Sequence, residues 1–494
     1  MLDLNEIKIL RSVEVSDQSN LIDGRHQTTD DRITVTSPID GAPITTIPAT
    51  QVRDVDAAVI AARAAYADGR WRKMPLAQRK AVLLRWADLI DAEALPLAVL
   101  GVRDNGTELA MALKAEPASC AQTIRYYAEA IDKVGGEIAP SADDRLGLIH
   151  RQPIGVIGVL TPWNFPLMIG AWKIGPALAM GNSVVLKPSE SASLSLLRIA
   201  TLALEAGLPS GVFNVVTGHG HEAGAALAGH DDVDALLFTG SGGTGRQLLM
   251  ASAQSNLKPV YLELGGKSPN VIFDDTSDIE ATCKAAIGAI FRNSGQTCVA
   301  GSRLLVQSGI KTEVLDRLVA MAESLRIGDP LDPANDIGAV HSHDQLKRNL
   351  DHVAAAQAAG VRLVTGGHSL HDAGSYMAPT IFDDVRPSDA IFRDEVFGPV
   401  LTVTTFDTEA EAIALANDSD LGLAAGVWTS NFDRANRMVR DLQAGVVHVN
   451  TYGGTDVTVP MGGVKQSGYG YDRSLRALDQ VSHMKTAWMA VAPR

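Results

Sequence analysis

Residues 155–264 alternate short β-rich runs with helical ones, and this alternation restricts the fold more than any other feature of the chain. The β-rich runs cover residues 155–160, 183–186, 212–216, 235–238 and 260–264; helical runs cover 167–180, 191–206, 221–229 and 243–254. Each helical run fits as a crossover between two strands. Nearly continuous apolar strands separated by helices predict a parallel sheet covered on both faces, so the expected class is α/β.

The flanking regions are less distinctive. Residues 52–66 and 77–100 have helical spacing. The second half repeats the α/β texture, with helical 278–291, 311–324 and 409–417 and strand-like 400–406 and 445–450. No fixed-period repeat, low-complexity tract or Gly/Ser linker separates the halves. At 494 residues the chain has room for about three domains.

The balance of 43 Lys and Arg against 57 Asp and Glu gives a formal charge of −14, which disfavours binding to nucleic acid or an anionic membrane. Three cysteines, Cys120, Cys283 and Cys298, are too few and too scattered for a disulfide framework, so a reducing compartment, the cytoplasm, is expected. The twelve histidines form no ligand cluster, and no metal site is expected. No charged residue lies between Arg151 and Lys173, but Pro153, Pro162 and Pro166 interrupt this stretch. It reads as a buried strand, a loop and a helix rather than a membrane span.

Four segments have the composition of chemical sites. Gly240-Ser241-Gly242-Gly243-Thr244-Gly245 ends a strand and opens a helix, where exposed N–H groups favour phosphate. Read literally, Gly240-x-Gly242-x-x-Gly245 is a dinucleotide fingerprint, and that reading assigns Glu263 to the ribose hydroxyls. Cys298 follows Asn293-Ser294-Gly295-Gln296-Thr297, a small-residue loop where backbone N–H groups can stabilise a thiolate. Cys120 and Cys283, in helical Ala-rich surroundings, read as core residues. Glu263 interrupts an apolar strand ahead of Gly265-Gly266, where desolvation raises a carboxyl toward a useful general base; a solvated strand-end acid is the plainer alternative. Asn164, wedged in Thr161-Pro162-Trp163-Asn164-Phe165-Pro166, is either a turn former or a preorganised oxyanion donor.

In combination and in order, these segments resemble the aldehyde dehydrogenase superfamily over essentially the whole chain. Lys187-Pro188-Ser189-Glu190, Glu395-Val396-Phe397-Gly398-Pro399 and residues 460–470 complete the match. The resemblance implies that Cys298 is the nucleophile, that Asn164 holds the oxyanion of a thiohemiacetal, and that Glu263 activates water to hydrolyse the thioester. This decides against the ribose assignment of Glu263. It also implies an active-site role for Lys173, whose alternative is a snorkelling surface lysine. For the cofactor it implies contacts from Thr161, Pro162, Trp163, Lys187, Ser189, Glu190, Gly240, Ser241, Gly245, Leu264, Gly265, Glu395 and Phe397. A carboxylate at Glu190 repels a 2′-phosphate, so NAD is favoured over NADP.

Within the superfamily the sequence is similar to the bacterial γ-glutamyl-γ-aminobutyraldehyde and 4-guanidinobutyraldehyde dehydrogenases. The shared stretches include residues 127–134, 220–224 and 456–460. An amino- or guanidino-aldehyde is therefore the expected substrate. Its channel would be lined by Phe165, Trp172, Thr297, Asp456 and Met461, with Asp456 anchoring a distal cation. Met461 stands where the family usually has Phe, Tyr471 where Arg is usual, and Asn105-Gly106-Thr107-Glu108 replaces a Thr-Gly-Lys-Pro pattern. An altered channel equally suits an aromatic or aliphatic aldehyde. The resemblance further implies an aldehyde dehydrogenase-like fold. Its parts are a Rossmann-like NAD-binding domain (1–132 and 152–263), a catalytic domain (264–464), and bridging elements (133–151 and 478–494) that make a homodimer or homotetramer. Two other classes compete: a cofactor-independent thiol esterase, which leaves Lys187, Glu190 and Glu395 without purpose, and a noncatalytic binding protein, against which Cys298, Glu263 and Asn164 stand together.

Overall fold

The computed structural model describes residues 3–370 and 373–492. Among them, eight strands form the first sheet. Its order is Arg25–Gln27, Asn20–Ile22, Phe213–Val215, Ser183–Lys187, Val156–Leu160, Ala235–Thr239, Val260–Glu263 and Gly468–Tyr469. The five strands from Phe213–Val215 to Val260–Glu263 run parallel. Val156–Leu160, Ser183–Lys187 and Ala235–Thr239 are buried along their whole length, as strands covered on both faces must be. The five parallel strands fall within a residue or two of the runs read from sequence; Asn20–Ile22, Arg25–Gln27 and Gly468–Tyr469 were not read.

The strand order sets the place of a site. From Val156–Leu160 the chain builds outward to one side through Ser183–Lys187, then to the other through Ala235–Thr239. Such a reversal leaves a crevice beyond the carboxyl ends of the two central strands. The segments that follow those ends are Thr161 to Phe165 and Gly240-Ser241.

The uncharged stretch after Arg151 resolves into Val156–Leu160, a loop, and the helix Pro166–Ala179. Pro166 sits at the first helical position, where its missing N–H costs nothing. The next free donor, Leu167 N–H, reaches the buried Glu116 carboxylate at 2.6 Å. No helix among the described residues is long and apolar enough to cross a membrane. Residues 77–100 divide into Leu76–Ala92 and Ala94–Asn105, with Glu93 between them.

Past Glu263 the chain enters a second sheet, ordered Arg362–Thr365, Thr380–Asp383, Val400–Phe406, Arg303–Gln307, Pro269–Ile272, Ala424–Trp428 and Val446–Val449. All its pairings are parallel except the first. Gly468–Tyr469 then pairs antiparallel with Val260–Glu263, so the chain crosses back to the first sheet through residues 465–477, which the sequence division left unassigned. A separate antiparallel sheet joins Glu137–Ala139, Arg145–Pro153 and Ser482–Ala490. Cys120 and Cys283 are fully buried in apolar clusters.

Candidate active site

Cys298 hangs from a turn that its neighbours over-determine. After the helix Ile279–Phe291, Asn293, Ser294 and Gly295 take left-handed φ values of 51°, 52° and 73°. For Asn and Ser such a backbone costs about 1–3 kcal/mol each and persists only under external restraint. At Gly295 a Cβ would lie 2.1 Å from the Gly398 carbonyl oxygen, so only glycine fits. The restraint is a buried polar network. Asn293 N–H donates to the Glu108 carboxylate at 3.1 Å, Thr107 Oγ1 to Asn293 Oδ1 at 2.8 Å, and Ser294 Oγ to Gly338 O at 2.9 Å. Gln296 Oε1 accepts His341 N–H at 2.8 Å.

The Asn164 side chain is 4% exposed, and its Nδ2 donates to Gln296 O at 2.9 Å. One amide hydrogen is thereby fixed, which orients the other. Glu263, the last residue of its strand, is also 4% exposed, and neither carboxylate oxygen is held in a hydrogen bond of ordinary geometry. Burial pushes its carboxyl up to about 7, with the Asp472 charge adding and Lys173, Cys298 and Thr239 opposing. Burial, and then the Glu263 charge, pushes the Cys298 thiol well above its ordinary range, so the resting pair is a neutral thiol beside a weak base. Lys173 does not snorkel: it is 3% exposed and its Nζ lies 2.9 Å from Asp472. Asp472 was not foreseen, because its partner is 299 residues away.

Two cavities meet at Cys298. The first, about 370 Å³, lies at the crevice expected from the strand order. Its walls include Pro162, Trp163, Asn164, Gly240, Ser241, Leu264, Gly265, Glu395 and Phe397 from the sequence reading, and Gln345, Arg348 and His352, which that reading missed. Trp163 stacks on His341 at 4.2 Å and meets Phe397 edge-on at 5.4 Å. Glu395 Oε1 accepts Gly266 N–H at 2.9 Å, and burial pushes its carboxyl up to about 7. Gly265 must lack a side chain, since a Cβ would lie 1.9 Å from Glu395 Oε2.

The remaining expected cofactor residues lie outside that wall. Lys187 Nζ pairs with Glu190 at 2.8 Å, with His219 Nδ1 3.7 Å from the same carboxylate, beyond the carboxyl end of the strand Ser183–Lys187. Ser189 Oγ lies 3.1 Å from Ser191 Oγ. Thr161 is buried with its N–H on Lys187 O. Ser241 caps the helix Gly242–Gln254, and Gly245 lies inside that helix, packed against Leu264. A capped helix N-terminus, an ion pair with acceptor capacity and an aromatic slot leading to a thiol suit a dinucleotide in an extended pose.

The second cavity, about 730 Å³, takes in Phe165, Trp172, Thr297, Asp456 and Met461 together with Cys298. Its inner wall is apolar, while Asp456 is exposed. Unforeseen residues join it, His448 and Arg473 among them. His448 comes from the strand Val446–Val449, and Arg473 is 5% exposed with its guanidinium over the Trp172 ring at 5.2 Å. An imidazole in an otherwise valine strand was the available signal for His448.

The sequence model described as the aldehyde dehydrogenase family matches residues 25–487. The chain is 47% identical over 454 residues to the NADP/NAD-dependent aldehyde dehydrogenase PuuC of Escherichia coli (strain K12), covering 92% of this chain and 91% of the relative. It superposes on the gamma-glutamyl-gamma-aminobutyraldehyde dehydrogenase of Burkholderia cenocepacia J2315 with a TM-score of 0.96 at 45% identity, covering 99% of this chain and 100% of that one. A variant of the indole-3-acetaldehyde dehydrogenase AldA of P. syringae, solved with NAD+ and IAA, gives a TM-score of 0.97 at 42% identity, with the same coverage.

Proposed function

The chain belongs to the aldehyde dehydrogenase family, NAD(P)-dependent oxidoreductases acting on aldehydes, and we propose that it turns an aldehyde into its carboxylic acid through a thioester on Cys298. The observation that carries this reading is the position of Cys298 in the wall of both cavities, one suited to a dinucleotide and one to an aldehyde.

The steps follow from the residues. Glu263 takes the thiol proton, and the thiolate adds to the carbonyl carbon. The oxyanion is met by the second amide hydrogen of Asn164 and by the Cys298 backbone N–H. NAD(P)+ bound in the first cavity supplies the hydride acceptor. Lys187 and Glu190 would hold its adenosine ribose, Ser241 and the adjoining helix its pyrophosphate, and Glu395 its nicotinamide ribose. The NAD+ in the AldA complex and the acidic Glu190 support NAD as the preferred form. Loss of hydride leaves an acyl thioester on Cys298. Glu263 gives its first proton to solvent, takes another from water as the water oxygen attacks the acyl carbon, and passes it to the departing Cys298 sulfur, which releases the acid and the thiol.

For the substrate we propose an amino- or guanidino-aldehyde, its cationic end near Asp456 at the exposed side of the second cavity. The name of the Burkholderia cenocepacia enzyme, a gamma-glutamyl-gamma-aminobutyraldehyde dehydrogenase at 45% identity, supports it. The apolar wall of Phe165, Ile169, Trp172 and Met461 favours a second reading, a neutral aromatic or aliphatic aldehyde. Initial rates of NADH formation across guanidino-, amino-, aliphatic and aromatic aldehydes test the choice. A maximum on the charged compounds supports the first reading, and a maximum on neutral ones replaces it by the second. Exposed Ile138, Met484 and Trp488 on the small antiparallel sheet support a homodimer or homotetramer, and three free cysteines suit a reducing cytoplasm.

A further inference from the structure

Glu108 has a place in the site that the mechanism above does not use. It is 6% exposed, lines the cavity that holds Cys298, and accepts Asn293 N–H with both oxygens, at 3.1 and 3.2 Å. Asn293 is the first of the left-handed residues from which the Cys298 loop departs. Its side chain extends the same clamp. Oδ1 accepts the Thr107 hydroxyl, and Nδ2 reaches Asn164 O and Gln296 O at 3.4 and 3.3 Å. Segment 107–108 therefore grips the turn that joins the thiol to the oxyanion donor. Thr107 itself is fixed, its N–H on Asn105 Oδ1 at 3.0 Å.

We propose that Glu108 is a positioning residue for Cys298: by accepting Asn293 N–H it holds the strained Asn293-Ser294-Gly295 turn in the one conformation that sets the thiol beside Asn164 and Glu263. The proposal rests on the reading of Cys298 as the nucleophile. A backbone that costs energy at two successive non-glycine residues relaxes when its restraint is cut, and the loop that relaxes carries the sulfur. Burial raises the Glu108 carboxyl, with Asn293 N–H and Arg292 opposing. Its carbonyl oxygen accepts the N–H in either protonation state, so the role needs an acceptor and not a charge.

The test compares Glu108→Ala, Glu108→Gln and Thr107→Val with Asp104→Asn, a fully buried carboxylate that accepts Leu194 N–H. Measured are kcat and KM, NAD+ binding by fluorescence titration, and the rate of Cys298 alkylation by iodoacetamide, located by peptide mass. Glu108→Ala is expected to lower kcat roughly 10- to 100-fold and to slow alkylation comparably, as a displaced reacting group does, with NAD+ affinity unchanged. Glu108→Gln restores both to within about threefold, and Thr107→Val shows a smaller loss of the same kind. The proposal falls if Glu108→Ala reacts at the parental rate, if Glu108→Gln is as impaired as Glu108→Ala, or if Asp104→Asn loses as much. Should Glu108→Ala not fold, a parental rate in Thr107→Val overturns it. Turnover that survives Cys298→Ser instead removes the nucleophile reading beneath it.

Discussion

Asn164 donates its side-chain N–H to the carbonyl oxygen of Gln296 at 2.9 Å, two residues before Cys298. The oxyanion donor and the nucleophile are therefore parts of one hydrogen-bonded unit, although strand and loop bring them from 134 residues apart. Replacing Asn164 by Ala is expected to lower kcat about 10²- to 10³-fold, the usual cost of one oxyanion donor, with little change in KM for NAD+. Steady-state kinetics check this. A loss confined to KM would mean that Asn164 only shapes the cavity.

The acid limb of activity should belong to Glu263. Its carboxyl is pushed up to about 7 by burial, and the base must be ionised, so kcat/KM falls as pH drops below about 7. Glu263→Gln should remove most of the activity and flatten that limb. Stability runs the other way. A folded pKa above the unfolded value means that the ionised form is the disfavoured one, so the folded state loses stability as pH rises from about 4.5 to 7. Glu263→Gln should therefore melt higher than the parent at pH 8, by roughly 1–3 kcal/mol, and the gap should shrink toward pH 5.

Asp472 and Lys173 act on Glu263 with opposite signs. Asp472→Asn should move the acid limb to lower pH, and Lys173→Met should move it to higher pH. Lys173→Met also strands a carboxylate inside the protein, which costs about 3–5 kcal/mol and shows in thermal unfolding. Unshifted pH profiles in both variants would separate this ion pair from the base.

If Asp456 anchors a cation, Asp456→Ala should lower kcat/KM for 4-guanidinobutanal about 5- to 50-fold relative to hexanal, a loss of roughly 1–2 kcal/mol. An unchanged ratio of the two activities ends that assignment and leaves the apolar wall to select the substrate.

Much of the frame was written in local pattern. Apolar strands between helices gave the five parallel strands of the first sheet within a residue or two, because a strand buried on both faces has little freedom of composition, while its antiparallel strands Asn20–Ile22, Arg25–Gln27 and Gly468–Tyr469 went unread. Cys298, Glu263 and Asn164 stood out since each is a reactive or polar group in surroundings that do not need one. What escaped has a common cause. Asp472, Arg473 and His448 reach the site from the far end of the chain, and Lys173 and Trp172, the partners of Asp472 and Arg473, lie about 300 positions earlier. The clamp at Glu108 was equally hidden, because its sequence context is the short turn between the helices Ala94–Asn105 and Leu109–Ala115 and its partner is a backbone N–H at position 293. Gly245 matches the fingerprint by type, yet it packs the helix on Leu264 instead of lining the cavity.

The central claim is that an acyl group rests on Cys298 between two chemical steps. Rapid mixing of the enzyme with NAD+ and an aldehyde, acid quenching within the first turnover, and peptide mass analysis test it directly. The account predicts a mass increase equal to the acyl group on the peptide containing Cys298, rising with NADH, and in Glu263→Gln both a slower rise and a longer life, because both proton transfers are slowed. NADH formation without any acyl mass on Cys298 in that variant, or with the acyl group on another residue, would contradict it.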